Sequence, residues 1–457
     1  MAYQNLEEAL QAVGNPVTLL RNSQIGPYAF PVVRHEFTNW RDEQRSWRES
    51  CALFDQSHHM TDLYVEGPDA LKLFSDLAVN SFKNFKTDQA KQFVACNHDG
   101  YVIGDAILFC LDTNKFNLVG RPPAANWVQY NVETGGYKAT AERDERSAQN
   151  QGRRKAYRYQ VQGPHALKVM EKATGKPAPD IRFFNMDTLI VAGRPVRALR
   201  HGMVGQPGWE LFGPWEDGEA VRDAIVEAGQ EHGIRQVGAR TYPTTCLESG
   251  WIPSPLPAIY TGEKLKSYRR WLTGKSYEAM ASLGGSFYSD DIRDYYLTPY
   301  DLGYGPFVKF DHDFVGRAPL EKMADNQKRK KVTFVWDGDD VERALGTLFH
   351  AGGDIVKYID LPLANYSTLP FDKVLKAGKT VGLSTYTGYT YNERAMISLG
   401  VVDIEHSEPG TTVTLVWGEE GRGSSKPTVE RHTQAEIRAK VAPAPYAEAA
   451  RTTYRPH

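Results

Sequence analysis

The sequence predicts a mixed α and β protein in which one strand-to-helix unit occurs twice and a separate all-β module follows. Two observations carry that expectation. Val65-Glu66-Gly67-Pro68-Asp69-Ala70-Leu71-Lys72 is echoed by Val161-Gln162-Gly163-Pro164-His165-Ala166-Leu167-Lys168, each copy preceded by a β-rich run and opening an amphipathic helix. Beyond the basic run Lys328 to Lys331, short β-rich stretches alternate with turns. At 457 residues the chain exceeds what one hydrophobic core usually supports, so several domains are expected.

In chain order, the first fifty residues mix helical stretches with aromatic and proline punctuation (Tyr28, Phe30, Pro31, Trp40, Trp47). Met60 to Val65 reads as a strand. The helix after it carries Leu71, Phe74 and Leu77 on one face, with Pro68 in its first turn, where a missing amide costs nothing. Gln92 to Val94 and Tyr101 to Leu111 read as strands turned by Asn97-His98-Asp99-Gly100, and Thr188 to Leu199 reads as a hairpin around Gly193. A helix is expected over Glu219 to Gln230, with Val221, Ala224, Ile225 and Ala228 at helical spacing, stopping before Gly233. Val332 to Trp336, Gly382 to Tyr386, Ile397 to Val402 and Thr412 to Trp417 are the strands of the final module. The expected division is 1–327, with repeat units near 60–80 and 157–172, then 328–440, then a surface-hugging or loose tail over 441–457.

Lys plus Arg number 54 against 56 for Asp plus Glu, a net −2, which leaves no positive surplus to collect nucleic acid or anionic lipid. The start of the chain carries Glu7 and Glu8 instead of a basic and then apolar leader, and no apolar run approaches bilayer length. A soluble cytoplasmic protein is expected. Cys51, Cys96, Cys110 and Cys246 have no paired spacing, so they imply no zinc site or disulfide framework and read as buried thiols. Asn365-Tyr366-Ser367 matches a glycosylation acceptor by chance.

Candidate chemistry gathers in a few places. Val237 to Tyr260 is stiffened by Pro253, Pro255 and Pro257, a pre-set scaffold from which Tyr242, Glu248 and Trp251 could project into a site. The same run is compatible with a Pro-rich crossover anchored in the core by Trp251. Asp105 is the one acid inside an apolar strand, and burying it unpaired is expensive, so it should face a cavity, a cation or a donor. Arg121 follows a strand and precedes two prolines, a fork for a carboxylate or a surface Arg. His58 and His59 alternate along an expected strand, so one ring would face a cavity and the other pack. Glu210, between Trp209 and Leu211, could accept two hydrogen bonds from a flat N-C-N donor edge such as a pterin, or be a solvated edge Glu. No nucleotide fingerprint is present: Gly274-Lys275-Ser276 has Arg269 where a phosphate loop needs Gly, and Gly202, Gly205 and Gly208 have the wrong spacing.

Taken in order, LFDQSHHMTDLYVEGPDALKLF, DGYVIGDAILF, YQVQGPHALKVM, GQPGWELFGP, CLESGWIP, YDLGYGPFVKFDHDFVGRAPL and VGLSTYTGYTYNERAMISLGVV resemble the aminomethyltransferase (glycine-cleavage T-protein) family of tetrahydrofolate enzymes. RNSQIGPYAFPVV, GRPPAANW and ESGWIPSPLPAIYTGEKLK resemble its branch of bacterial vanillate and syringate O-demethylases. The resemblance implies an α+β fold: a three-domain cloverleaf with duplicated α/β units, a C-terminal all-β barrel-like module and a central opening for tetrahydrofolate. It implies Tyr242 as the catalytic tyrosine, assisted by His59 and by Asp105 near the folate's reactive nitrogen. Glu210, Trp251 and Gln162 would hold the folate; Arg121, Tyr28, Phe30 and His59 would hold an aromatic acid. It further implies transfer of an aryl methyl ether's methyl group to tetrahydrofolate, with syringate favoured over vanillate and 3-O-methylgallate. Tyr242 stands where the amine-transferring branch tends to have a run like RDSLRLEAG, which sets an aminomethyl-lipoyl substrate aside. A tyrosine hydroxyl would match a departing phenol, both titrating at about 10. Sulfonium or amine demethylation and a non-catalytic folate binder stay as alternatives.

Overall fold

The computed structural model describes residues 3–150, 154–253, 255–424 and 426–452. Two sheets and a barrel organise it. The six-stranded sheet runs in the order Ile234–Val237, Cys51–Asp55, Ala156–Gln162, Gly208–Pro214, Arg194–Arg200, Met186–Val191. The five-stranded sheet runs Gln89–Cys96, Val102–Asp112, Lys115–Gly120, Thr61–Glu66, Thr140–Asp144. They meet through a small apolar seam of Ala90, Phe109, Val119, Leu199 and Phe212.

Each sheet carries one copy of the repeat. Thr61–Glu66 leads to the helix Ala70–Leu77, and Ala156–Gln162 leads to Ala166–Thr174. Both turns begin on a glycine at positive φ, 144° at Gly67 and 131° at Gly163. A Cβ there would lie 2.4 Å from the Lys138 carbonyl oxygen and 2.6 Å from that of Ser50, so only glycine fits. The prolines sit differently from the expectation. Pro68 and Pro164 precede the helices, because Ala70 and Ala166 donate back to the Gly67 and Gly163 carbonyls at 3.0 Å and close a tight turn with proline at its second position.

A second departure concerns the histidine pair. The strand Cys51–Asp55 ends where the Asp55 carboxylate accepts the Ser57 amide at 2.9 Å, so His58 and His59 lie on a turn and do not alternate along a strand. Elsewhere the local signals hold. The hairpin Met186–Val191/Arg194–Arg200 turns at Gly193, and the helix Gly218–Gly229 continues through a short 3-10 turn to Gly233.

The C-terminal strands close into a barrel in the order Arg329–Trp336, Ala395–Asp403, Lys379–Thr390, Asp372–Lys376, Thr412–Trp417, Ala435–Ala442. Its interior is filled by Val332, Phe334, Val374, Val402, Leu415 and Ile437 among others. The basic run enters the barrel's first strand: Arg329, Lys330 and Lys331 pair with Asp403, Val402 and Val401. Leu383, Tyr386, Ile397, Leu399 and Val401 on the outer face join the main core with Leu63, Phe74 and Phe93 of the five-stranded unit. Asn365 is buried, its Oδ1 accepting the Thr387 amide at 3.1 Å.

The described part of the tail, 441–452, packs down, and 453–457 lie outside the described residues. Ala447 is fully buried, and the backbone of Pro445 and Ala450 occupies the space where side chains on Gly250 and Gly205 would otherwise go. No helix among the described residues is long and apolar enough to cross a membrane.

Candidate active site

Tyr242 opens a short 3-10 turn, Tyr242–Thr244, that runs into the helix Thr245–Ser249. Its backbone is fixed from behind by a carboxylate with no solvent exposure. Glu43 accepts the amides of Phe37 (2.7 Å), Thr38 (3.1 Å) and Gly238 (2.9 Å) and the Thr241 hydroxyl (2.5 Å), so its charge is spread over four donors. The Tyr242 ring then meets His59, Phe30 and Phe54 at centroid separations of 4.7, 5.1 and 5.6 Å. The Gln56 amide donates to its hydroxyl oxygen at 3.1 Å, and the hydroxyl's own proton has only a weak acceptor, the Met203 sulfur at 3.9 Å. Burial lifts this hydroxyl above the usual phenol range, with the Gln56 bond only partly offsetting it. The expected match to a departing phenol is therefore shifted: Tyr242 stays protonated and is a weaker acid than a free phenol. Burial and the nearby Arg121 charge push His59 down to about 3, so it is a neutral imidazole throughout the working range.

Arg121 precedes the helix Pro122–Thr134, and its guanidinium carbon stands 4.1 Å from the Tyr28 ring centroid. Tyr28 donates its hydroxyl to the His59 carbonyl and packs against Phe30 at 5.8 Å, so the aromatic group and the cation form one wall. Arg121 also lines a small cavity together with Asp105, Pro253, Pro255 and Tyr277. Asp105 Oδ2 accepts from Gln92 Nε2 (3.0 Å), Trp251 Nε1 (3.0 Å) and the Tyr304 hydroxyl (2.7 Å). All three donors are neutral. Burial consequently prevails and raises the Asp105 carboxyl above its ordinary value. Trp251 is 39% exposed, so it is not a core anchor; its indole edge holds Asp105 and its ring faces outward.

Glu210, Gln160 and Gln162 occupy the inner face of the six-stranded sheet, with Glu210 opposite Gln160 and Gly208 opposite Gln162. Glu210 is buried, not a solvated edge residue, and is ion-paired to Arg158. Arg158 also reaches Asp62 at 3.1 Å and lies between the Phe109 and Phe212 rings at 4.9 and 4.8 Å. Gln162 Oε1 accepts the Met203 amide at 2.7 Å, while Gln162 Nε2 and Gln160 Oε1 are buried without a partner. One carboxylate, one orphan amide donor and one orphan amide acceptor on adjoining strands fit the flat, alternating edge of a pterin. Met203 ties this face to Tyr242, its sulfur lying 3.3 Å from Gln56 Nε2 and 3.9 Å from the Tyr242 hydroxyl.

The residues singled out in the sequence thus fall into three adjoining groups: Tyr242, His59, Phe30 and Tyr28; Arg121, Asp105 and Trp251; Glu210 and Gln162. Glu248 separates from them. It is 1% exposed and accepts from Trp47 (3.1 Å), Arg48 (3.1 Å), Thr390 (2.8 Å) and Asn392 (2.9 Å), fastening the N-terminal helices to the barrel. Sequence reading missed Gln56, Glu43, Tyr304, Arg158 and Met203. Gln56 and Tyr304 lie within segments that carry the family resemblance, which is the only signal that could have flagged them.

Comparison with known proteins identifies the family and the fold. A syringate O-demethylase of Sphingobium sp. is 49% identical over 98% of this chain and 97% of its own length. A sesamin methylene transferase of Sinomonas sp. is 31% identical over 85% of this chain and 84% of its own. The solved structure of the glycine cleavage system aminomethyltransferase T from Bartonella henselae shares the fold, with a TM-score of 0.60 at 18% identity, covering 93% of this chain and 92% of that one. Residues 18–254 match the GCVT N-terminal domain, and the chain belongs to that aminomethyltransferase-type family.

Proposed function

We propose that the chain is a tetrahydrofolate-dependent O-demethylase of methoxylated benzoates, with syringate the foremost candidate. The observation that carries this reading is the Tyr242 hydroxyl, buried against His59 and Phe30 with Gln56 bonded to its oxygen, one aromatic layer away from Arg121. The near full-length similarity to a protein named syringate O-demethylase supports it. The four buried free thiols fit a reducing, cytoplasmic setting.

In this reading Arg121 takes the substrate carboxylate as a charge-assisted fork, and Tyr28, Phe30 and His59 hold the ring. Glu210, Gln162, Trp251 and Asp105 would hold tetrahydrofolate, which would supply the nucleophilic nitrogen for the methyl group, its N–H proton balancing the one the departing phenolate gains. Tyr242 donates its proton in a hydrogen bond to the ether oxygen as the carbon–oxygen bond breaks. A free phenol would be the stronger acid, so the hydroxyl acts as a short-range donor that strengthens as negative charge grows on the departing oxygen. Neutral His59 brings no competing positive charge beside that oxygen. Holding the two ligands in line is where most of the rate arises.

The test is product analysis with syringate, vanillate and 3-O-methylgallate, each with and without tetrahydrofolate. A free phenol and 5-methyltetrahydrofolate in equal amounts, only when both ligands are present, is expected; folate retention with no substrate consumed would leave a binding protein instead. The sesamin methylene transferase relative favours a second reading, transfer of a one-carbon unit from a methylenedioxy ring, and sesamin belongs in the same panel. Arg121 in the aromatic wall favours an acid over such a neutral substrate.

A further inference from the structure

We infer that Tyr277, through its hydroxyl, is a second anchor for the substrate carboxylate beside Arg121, and so helps the site choose aromatic acids over neutral aryl ethers. The inference rests on the demethylase reading of the same site. Tyr277 opens the short helix Tyr277–Met280, whose start is held by the Ser276 side chain accepting the Ala279 amide at 3.2 Å. The residue lines the cavity that Arg121 and Asp105 also line. Its ring packs edge-on to Tyr28 at 6.4 Å, and Tyr28 is the ring over which the Arg121 guanidinium stands. Yet the Tyr277 hydroxyl is buried with no hydrogen-bond partner, whereas the neighbouring Tyr28 hydroxyl is bonded to the His59 carbonyl.

A buried hydroxyl that no protein group satisfies is costly, and one placed in a cavity wall beside a guanidinium is suited to an anionic acceptor. A carboxylate has about four lone-pair sites. A guanidinium fork uses two, and an O–H donor from the side can take a third, while a methyl ether or a plain ring edge offers that donor much less. The Tyr28 ring is flanked by a second guanidinium, Arg146, at 4.9 Å, which makes this wall electropositive on both sides.

The experiment is Tyr277→Phe in the full chain, with calorimetric titration of 3,4-dihydroxybenzoate and of catechol, which lacks the carboxylate, alongside steady-state kinetics. The expected result is a dissociation constant for the acid raised about tenfold and one for catechol unchanged, with KM raised and kcat within about twofold. The melting temperature should hold or rise, since the change deletes an unsatisfied group. Equal weakening of both ligands would reduce Tyr277 to a packing role. An unchanged constant for the acid would overturn the inference while leaving the demethylase reading intact; a wild-type chain that binds neither ligand would overturn both.

Discussion

Two buried carboxylates, Asp105 from the five-stranded sheet and Glu210 from the six-stranded one, are held in opposite ways. Glu210 is matched by a full positive charge on Arg158, which Asp62 and two phenylalanine rings lock in place. Asp105 has only neutral donors, from Gln92, Trp251 and Tyr304, and burial raises its carboxyl. A carboxylate with a guanidinium behind it is charge-matched by the protein itself. One ringed by neutral donors keeps a responsive charge, sensitive to whatever cation or proton enters the cleft. The first suits recognition of a fixed donor edge and the second suits a position near a reacting atom.

The sharpest test lies between them. Tyr242→Phe should lower kcat by about 10²–10⁴-fold with folate affinity nearly unchanged, measured by single-turnover kinetics and equilibrium titration; near-normal turnover would move the chemistry to one of the carboxylates. Next in size, Arg158→Met leaves Glu210 buried and without its cation, while Asp62 keeps Arg154 at 2.7 Å and Asn117 at 2.8 Å, and should cost about 3–5 kcal/mol of stability in a denaturant titration, a loss with no counterpart on the Asp105 side.

Asp105→Asn should do the reverse to stability while cutting turnover by at least about tenfold through a lost charge-assisted contact. Because the folded carboxyl titrates above the unfolded one, the stability tied to its protonated form is complete below the unfolded value, about 3.9, and is lost as pH rises through the folded one. The asparagine variant should therefore melt higher than the parent at neutral pH, and the gap should close as pH falls toward 4; a gap that widens on acidification would contradict the raised carboxyl. The smallest change is Trp251→Phe, which removes one of three donors and should weaken folate binding by about 1 kcal/mol, read by titration.

Much of this site is legible where the signal is local or chemically odd. The paired Gly-Pro turns announce themselves because backbone geometry at Gly67 and Gly163 admits no other residue. Asp105 in an apolar strand, Arg121 before two prolines and Tyr242 before a stiff run stand out as residues the core does not need. Arg158 and Gln160 do not, since AYRYQVQ alternates like any strand with one wet face, and here the polar face is buried instead of meeting bulk water. Glu43 is hidden for another reason: its bond to Thr241 spans 198 residues of sequence, a separation that no local pattern encodes. The histidine pair failed because a single Asx turn at Asp55 ended the strand early.

The seating of residues 445–450 has a practical corollary. Ala450 lies on Gly205, in the loop that carries Met203 beneath Tyr242, and Pro445 lies on Gly250, next to Trp251. Residues 445–450 are thus a wedge behind both loops, so deleting them would loosen the segment that carries Met203 and the turn that leads to Trp251.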